Sequence, residues 1–358
     1  MSDWTNQAVS IIEADHARSA DTHLIKLEVP SIDTIDIYMK DESTHPTGSL
    51  KHRLARSLFL YGLCNGWIGK DTPIIESSSG STAVSEAYFA RLIGLPFIAV
   101  IPKSTSREKI EQIVFYGGRC HLVDAPEIYA ESRRLANELG GHYMDQFTYA
   151  ERATDWRGNN NIAESMFAQM RAERFSKPAW VITSAGTGGT SATIGRYIRY
   201  RRLSTRLCVP DPENSVFYDV YRKGDRSLTL NRSTNIEGIG RPRAEPSFLP
   251  SVIDRMIKVP DAASIATVHF LEGLLNRKCG GSTGTNLYAT FLIASELKKA
   301  GQECSLVTII CDAGDRYLHT YYSKEWLADK GFDTTPYSEQ LKRFHATGSM
   351  DAPAAGTA

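Results

Sequence analysis

Short β-rich runs alternate with longer helical patterns along this chain, an order that admits few folds besides parallel sheets joined by crossover helices. The strand-like runs are Ile35–Lys40, Pro73–Glu76, Pro96–Ile101, Arg119–Val123, Ala179–Thr183, Arg206–Val209 and Ser305–Cys311. Helical spacing is predicted over Leu50–Leu63, Thr82–Leu92, Ser106–Tyr116, Glu127–Leu139, Asn161–Arg171, Thr190–Arg201, Ala262–Leu275 and Thr285–Lys299. With 358 residues, 42% of them hydrophobic, the chain can bury the core of two lobes or of one large domain. Parallel sheets take ligands outside the carboxyl ends of their strands, so chemistry is expected in the strand-to-helix turns.

Charge narrows the partners. Lys plus Arg and Asp plus Glu stand at 41 each, so the summed charge gives no reason to expect a nucleic acid or an anionic membrane. The six cysteines, at 64, 120, 208, 279, 304 and 311, lack the paired spacing of metal or redox motifs, and no metal site is expected. They read as reduced thiols of a cytoplasmic protein. Met1 to Asp21 has neither the basic start nor the apolar stretch of a secretory signal, and no apolar run approaches the ~20 residues that span a bilayer. The small residues of Ala346–Ala358 predict a disordered tail, and the polar passage Pro210–Ala244 reads as an excursion at the site or an interface.

Ser184-Ala-Gly-Thr-Gly-Gly-Thr190 follows one strand-like run and opens a helix. Glycines let the backbone approach a ligand closely, and converging N–H groups at a helix N-terminus favour a dianion. Such turns also arise for purely geometric reasons. No Walker lysine follows, and the spacing is not G-x-G-x-x-G, which favours a small phosphate ester over a nucleotide. Pro46-Thr-Gly-Ser-Leu-Lys51-His-Arg53 places a lysine at a helix start, where a buried ammonium is disfavoured and a Schiff-base amine is helped. A solvated surface lysine is the plain alternative. Pyridoxal phosphate would supply both an aldehyde for that lysine and a phosphate for the glycine-rich turn. Glu76-Ser-Ser-Ser-Gly-Ser-Thr82 offers hydroxyls and N–H groups suited to a carboxylate, or simply a capped helix, and Gly280-Gly-Ser-Thr-Gly284 is ambiguous in the same way.

In their order over roughly residues 20–322, these segments resemble the cysteine synthase and cystathionine β-synthase family of fold-type II pyridoxal-phosphate enzymes. The resemblance implies Lys51 as the Schiff-base residue and α-proton base. Ser78, Ser79, Gly80 and Thr82, with Gln146 of Asp145-Gln-Phe147, fall where the family binds the substrate carboxylate. Gly186, Thr187, Gly188, Gly189 and Thr190 match its phosphate loop, and Ser282 the serine at the pyridine nitrogen. Gly238 belongs to the segment Glu237-Gly-Ile-Gly240 beside the active site, and Cys311-Asp-Ala-Gly-Asp-Arg-Tyr-Leu318 resembles the terminal motif.

The chain departs from the synthases at Ser81, where they carry an asparagine near the cofactor hydroxyl, at Ala83 in place of glycine, and at Thr22-His23-Leu24, which lacks the usual proline. The strings Ser77 to Arg91, Glu237 to Arg243 with Pro246 to Pro250, and Gly280 to Asn286 look most like a bacterial branch assigned as L-cysteine desulfhydrases. That branch implies β-elimination of L-cysteine through an aminoacrylate to sulfide, pyruvate and ammonia. The runner-up is cysteine synthase, which acts on O-acetylserine or a related amino acid; a serine/threonine dehydratase or a cystathionine β-synthase ranks lower. The implied architecture is α/β, with two lobes of mostly parallel sheet flanked by helices and the cofactor between them. Residues 1–51 and 151–345 are expected to form the larger, cofactor-binding lobe, and 52–150 a smaller mobile lobe carrying the substrate loop. The family also implies a homodimer.

Overall fold

The computed structural model describes residues 2–19 and 21–351. The chain divides into two compact units, Met1–Asp21 with His45–Asp155, and Thr22–Thr44 with Trp156–Ala358. Among the described residues, ten strands run through them: β1 (Leu24–Leu27), β2 (Ile35–Asp41), β3 (Ile74–Glu76), β4 (Phe97–Pro102), β5 (Arg119–Val123), β6 (His142–Tyr143), β7 (Trp180–Ile182), β8 (Arg206–Pro212), β9 (Arg255–Val259) and β10 (Cys304–Ile310). The expected α/β architecture is present, each sheet being flanked by helices.

The first unit holds a four-stranded sheet in the order β5-β4-β3-β6, parallel throughout. From β3 the chain adds β4 and β5 on one side and then returns to place β6 on the other. The strand order therefore reverses between β3 and β6, and the crevice outside the carboxyl ends of that pair is where an open parallel sheet takes a ligand. The second unit holds a six-stranded sheet, β1-β2-β10-β7-β8-β9, parallel except for the edge pair β1 and β2. Here the order reverses between β7 and β10.

Apolar packing explains where the units divide. The expected boundary at residue 51 is displaced, because Ala8 and Ile12 of the N-terminal helix Asp3–Ala17 share a core with Leu54, Leu58 and Phe59 of helix Lys51–Cys64. Residues 1–21 and 45–51 thus go with the smaller unit, and Lys51 with them. The core of the second unit gathers Ile37, Met39, Leu306 and Ile310 from the sheet with Leu287 and Phe291 from helix Gly281–Lys299. That helix begins four residues before the expected Thr285. A Cβ at Gly284 would lie 2.0 Å from the Ser264 carbonyl oxygen, so this glycine lets the helix pack on Asp261–Leu275 within its first turns.

The expected tail is also shorter than its composition suggested. Helix Thr335–Thr347 runs into it, Met350 is buried, and the Met350 N–H donates to Ser295 Oγ at 2.9 Å. The remainder of that tail lies outside the described residues. The passage 210–244 forms no separate unit and contains the helix Phe217–Lys223. None of the six cysteines is in a disulfide, and among the described residues no helix is long and apolar enough to cross a membrane.

Candidate active site

In the first unit, the expected lysine and substrate segments meet at the β3/β6 crevice. β3 ends in Glu76, and its buried carboxylate accepts the Ser77 N–H at 2.6 Å and the Gln146 N–H at 3.1 Å. One side chain thus fastens the turns after both strands. Asp145, which precedes Gln146, sits in the left-handed region at φ 45° and caps helix Gln146–Ala153. Thr82, one residue into helix Ser81–Leu92, donates to Gln146 Oε1 at 2.8 Å. Ser77 Oγ lies 2.7 Å from Ser132 Oγ and donates to the Tyr143 hydroxyl at 2.9 Å, leaving Ser78, Ser79, Gly80 and Ser81 as the half-buried tip of the loop. A Cβ at Gly80 would enter open space, so packing does not demand a glycine there.

The lysine turn is joined to the same helix. Thr47 Oγ1 lies 2.9 Å from Ser85 Oγ and 3.2 Å from His52 Nδ1, and the Lys51 N–H donates to Ser49 Oγ at 3.0 Å. Thr47 and Ser49 are buried, while Lys51 is half-buried at the first position of helix Lys51–Cys64. The structure therefore brings Lys51, the 77–82 loop and Gln146 onto one set of contacts within this unit.

In the second unit, the glycine-rich loop follows β7 and helix Gly189–Tyr200 opens from it, with Gly188 as its N-cap at φ 96°. The loop is gripped from two sides. A Cβ at Gly186 would lie 2.1 Å from the Gly238 carbonyl oxygen, and one at Gly188 would lie 2.5 Å from Phe248 Cα. The Gly240 N–H donates to the Ala185 carbonyl at 2.8 Å, tying the 237–240 segment to the loop. From the head of helix Gly281–Lys299, Asn286 Oδ1 accepts the Ser184 N–H at 2.7 Å, and Thr283 Oγ1 accepts the Cys311 N–H at 3.1 Å. Both ends of the β7/β10 crevice are thus bound to the helix turn that carries Ser282, itself buried.

Gly186 to Thr190, Gly238 and Ser282 consequently share one neighbourhood in this unit. The buried Ser184 hydroxyl has no hydrogen-bond partner. Among the described residues, the N–H groups of Gly186, Thr187 and Gly188 donate to no protein acceptor. A loop of unspent donors at the N-terminus of a 12-residue helix can hold a phosphate.

Sequence reasoning did not single out Glu76 and Glu86, although both are fully buried carboxyls of the first unit. Burial pushes Glu76 up to about 8, against the pull of its two N–H donors, and burial followed by the charge of Glu76 pushes Glu86 well above the usual carboxylate range. Their signal in the sequence is faint. Glu86 stands four residues after Thr82, on a face that the helix otherwise fills with Ala83, Ala87, Phe89 and Ala90.

Comparison with known proteins supplies the family. The model for "Pyridoxal-phosphate dependent enzyme" matches residues 19–312. L-cysteine desulfhydrase Cds1 of Mycobacterium tuberculosis is 58% identical over 347 residues, which cover 95% of this chain and 94% of that protein. N-(2-amino-2-carboxyethyl)-L-glutamate synthase of Ralstonia nicotianae is 31% identical over 309 residues, covering 82% of this chain and 84% of that one. Among solved structures, the crystal structure of O-ureido-L-serine synthase superposes with a TM-score of 0.73 at 24% identity, over 86% of this chain and 96% of its own, a likeness of fold. With these matches, the chain belongs to the pyridoxal-phosphate-dependent enzyme family.

Proposed function

We propose that this enzyme eliminates the thiol of L-cysteine, converting L-cysteine and water to hydrogen sulfide, pyruvate and ammonia. The observation that carries the reading is the 58% identity, along nearly the whole chain, to a protein named for that reaction. The residues present fit the cofactor: a loop of unspent N–H groups with an orphaned buried hydroxyl beside it suits a phosphate, and the half-buried Lys51 suits an aldehyde. When bound, pyridoxal phosphate supplies an aldehyde that takes up an amino group and a ring system that accepts electrons from the α-carbon.

Lys51 Nζ attaches the cofactor and then removes the α-proton of the substrate, both of which need a neutral amine; the partial positive charge at its helix N-terminus works against the cation. Gly186, Thr187, Gly188, Gly189 and Thr190 hold the phosphate through backbone N–H groups and the helix field. Ser282 faces the ring nitrogen as a neutral hydrogen-bond partner, Ser81 lines the cofactor's edge, and Gly238 lies against the substrate. Ser78, Ser79, Gly80 and Thr82 grip the substrate carboxylate. Gln146, already fixed by Glu76 and Thr82, reaches the same group. The open space at Gly80 is room for that carboxylate to approach the backbone. A cytoplasmic homodimer completes the proposal.

A second reading is β-replacement, in which a nucleophile adds at the β-carbon after the leaving group departs. The relative at 31% identity is named a synthase, which favours it. The test is release of sulfide and pyruvate by the cofactor-loaded protein given L-cysteine alone. Equal amounts over many turnovers are expected. If neither appears while O-acetylserine and sulfide are consumed together, the enzyme is a synthase and the elimination reading fails.

A further inference from the structure

The polar passage 210–244 leads into a buried acid. Glu245 is 1% exposed, and its Oε1 accepts the Nε–H of Arg241 at 2.9 Å and that of Arg243 at 3.3 Å. A third guanidinium closes the turn that follows: Arg226 donates to the Glu245 carbonyl at 2.6 Å and to the Phe248 carbonyl at 2.9 Å, while the Phe248 N–H returns to the Glu245 carbonyl at 3.0 Å. A carboxylate this deeply buried is tolerated only while its cations stay with it, so Glu245 and its arginines form one unit.

That unit stands between two stretches of backbone that press on the glycine-rich loop. On one flank the Gly240 N–H donates to the Ala185 carbonyl, and the Gly238 carbonyl oxygen lies 2.1 Å from where a Cβ on Gly186 would be. Arg241 continues from there, its N–H donating to Ser215 Oγ at 3.1 Å and its carbonyl accepting the Val216 N–H at 2.9 Å. On the other flank the Ser247 carbonyl oxygen and Phe248 Cα lie 2.6 and 2.5 Å from the Cβ position of Gly188, and the Phe248 ring stacks on Phe217 at 4.1 Å between centroids. The chain therefore passes Gly186, turns away and comes back to meet Gly188, and Glu245 ties the outgoing arm to the returning one.

We propose that Glu245 is a positioning residue for the cofactor phosphate, holding Arg241 and Arg243 so that the 238–248 segment stays closed on both flanks of the loop. From Ser184 to Thr190 the loop has no Lys or Arg. Its grip on a dianion must come from converging N–H groups and the helix field, both of which depend on the loop's exact shape. The inference rests on this loop being the phosphate site proposed above and does not depend on which amino acid is the substrate.

The experiment titrates the full-length, cofactor-stripped protein with pyridoxal phosphate and, separately, with pyridoxal, which has the same ring and aldehyde but no phosphate, following the visible band of attachment. Wild type should bind the phosphate ester far more tightly. In E245Q the Kd for pyridoxal phosphate should rise about tenfold, the equivalent of one lost contact, while that for pyridoxal stays unchanged. A general loosening of the fold would weaken both ligands alike, so an equal loss for the two, or no loss, overturns the proposal. If E245Q does not fold, R226Q, which leaves the Glu245 carboxylate paired and opens only the turn to Phe248, is read in the same way. A wild type that shows no preference for the phosphate ester would instead remove the phosphate-loop reading, and this proposal with it.

Discussion

Glycines in this chain do two different jobs, and a single added methyl group separates them. At Gly186 a Cβ would meet the Gly238 carbonyl oxygen at 2.1 Å, against backbone that cannot swing aside. Gly186→Ala should therefore destabilise the fold by about 1–3 kcal/mol or more and lose the cofactor, both read from the melting curve and the visible spectrum. At Gly80 the same methyl group meets nothing. Gly80→Ala should keep its melting temperature while KM for L-cysteine rises about tenfold, the equivalent of one lost contact of ~1.4 kcal/mol. Equal stability losses in the two variants would mean that the 77–82 loop is shaped by packing and not by a ligand. The sequence made both glycines candidates by motif. It could not separate them, because the atoms opposing Gly186 come from residue 238.

At the scale of elements, long periodic segments were legible and short or two-sided ones were not. The strands at 119–123 and 304–310 and the helices at 51–64 and 81–92 fall within a residue or so of their expected spans. β6 is two residues long and β1 only four, too short for an alternating pattern to register. The N-terminal helix was hidden by its polar composition, since only Thr5, Ala8 and Ile12 form its buried stripe. β6 nonetheless bears on stability. Its His142 packs against Trp67, and burial lowers its pKa to about 4 from 6.5. Between those values the unfolded chain takes up a proton that the folded one refuses, so this residue costs stability as pH falls from 6.5 towards 4. Glu76 acts with the opposite sign, binding its proton more tightly in the fold and costing stability as pH rises from 4.5 towards 8. His142→Asn should lose about 2–3 kcal/mol less stability than wild type between pH 7 and pH 4.5 in urea titrations. Parallel declines would show that His142 is not the acid-sensitive group.

For the whole molecule, contiguous motifs were easier to read from the sequence than the partition of the chain. The lysine turn, the 77–82 loop and the glycine-rich 184–190 loop could be picked out because each is contiguous, and their order along the chain carried the family resemblance. The boundary was misplaced because it depends on Ala8 and Ile12 packing against helix Lys51–Cys64, a contact between separated segments. Glu86 escaped notice for a similar reason: its burial is a property of its neighbours. Each unit reverses its strand order once, and each reversal carries half of the named residues, with Lys51, the 77–82 loop and Gln146 at one and Gly186–Thr190 with Ser282 at the other. Lys40 is the other lysine with a claim on the cofactor, being wholly buried, but its ammonium is spent on the Thr22 carbonyl and Gln169 Oε1 at 2.7 and 2.8 Å. Borohydride reduction of the loaded enzyme, followed by peptide mapping, decides between them. The reduced cofactor is expected on Lys51 alone; its appearance on Lys40 or any other lysine would contradict the assignment on which the proposed chemistry rests.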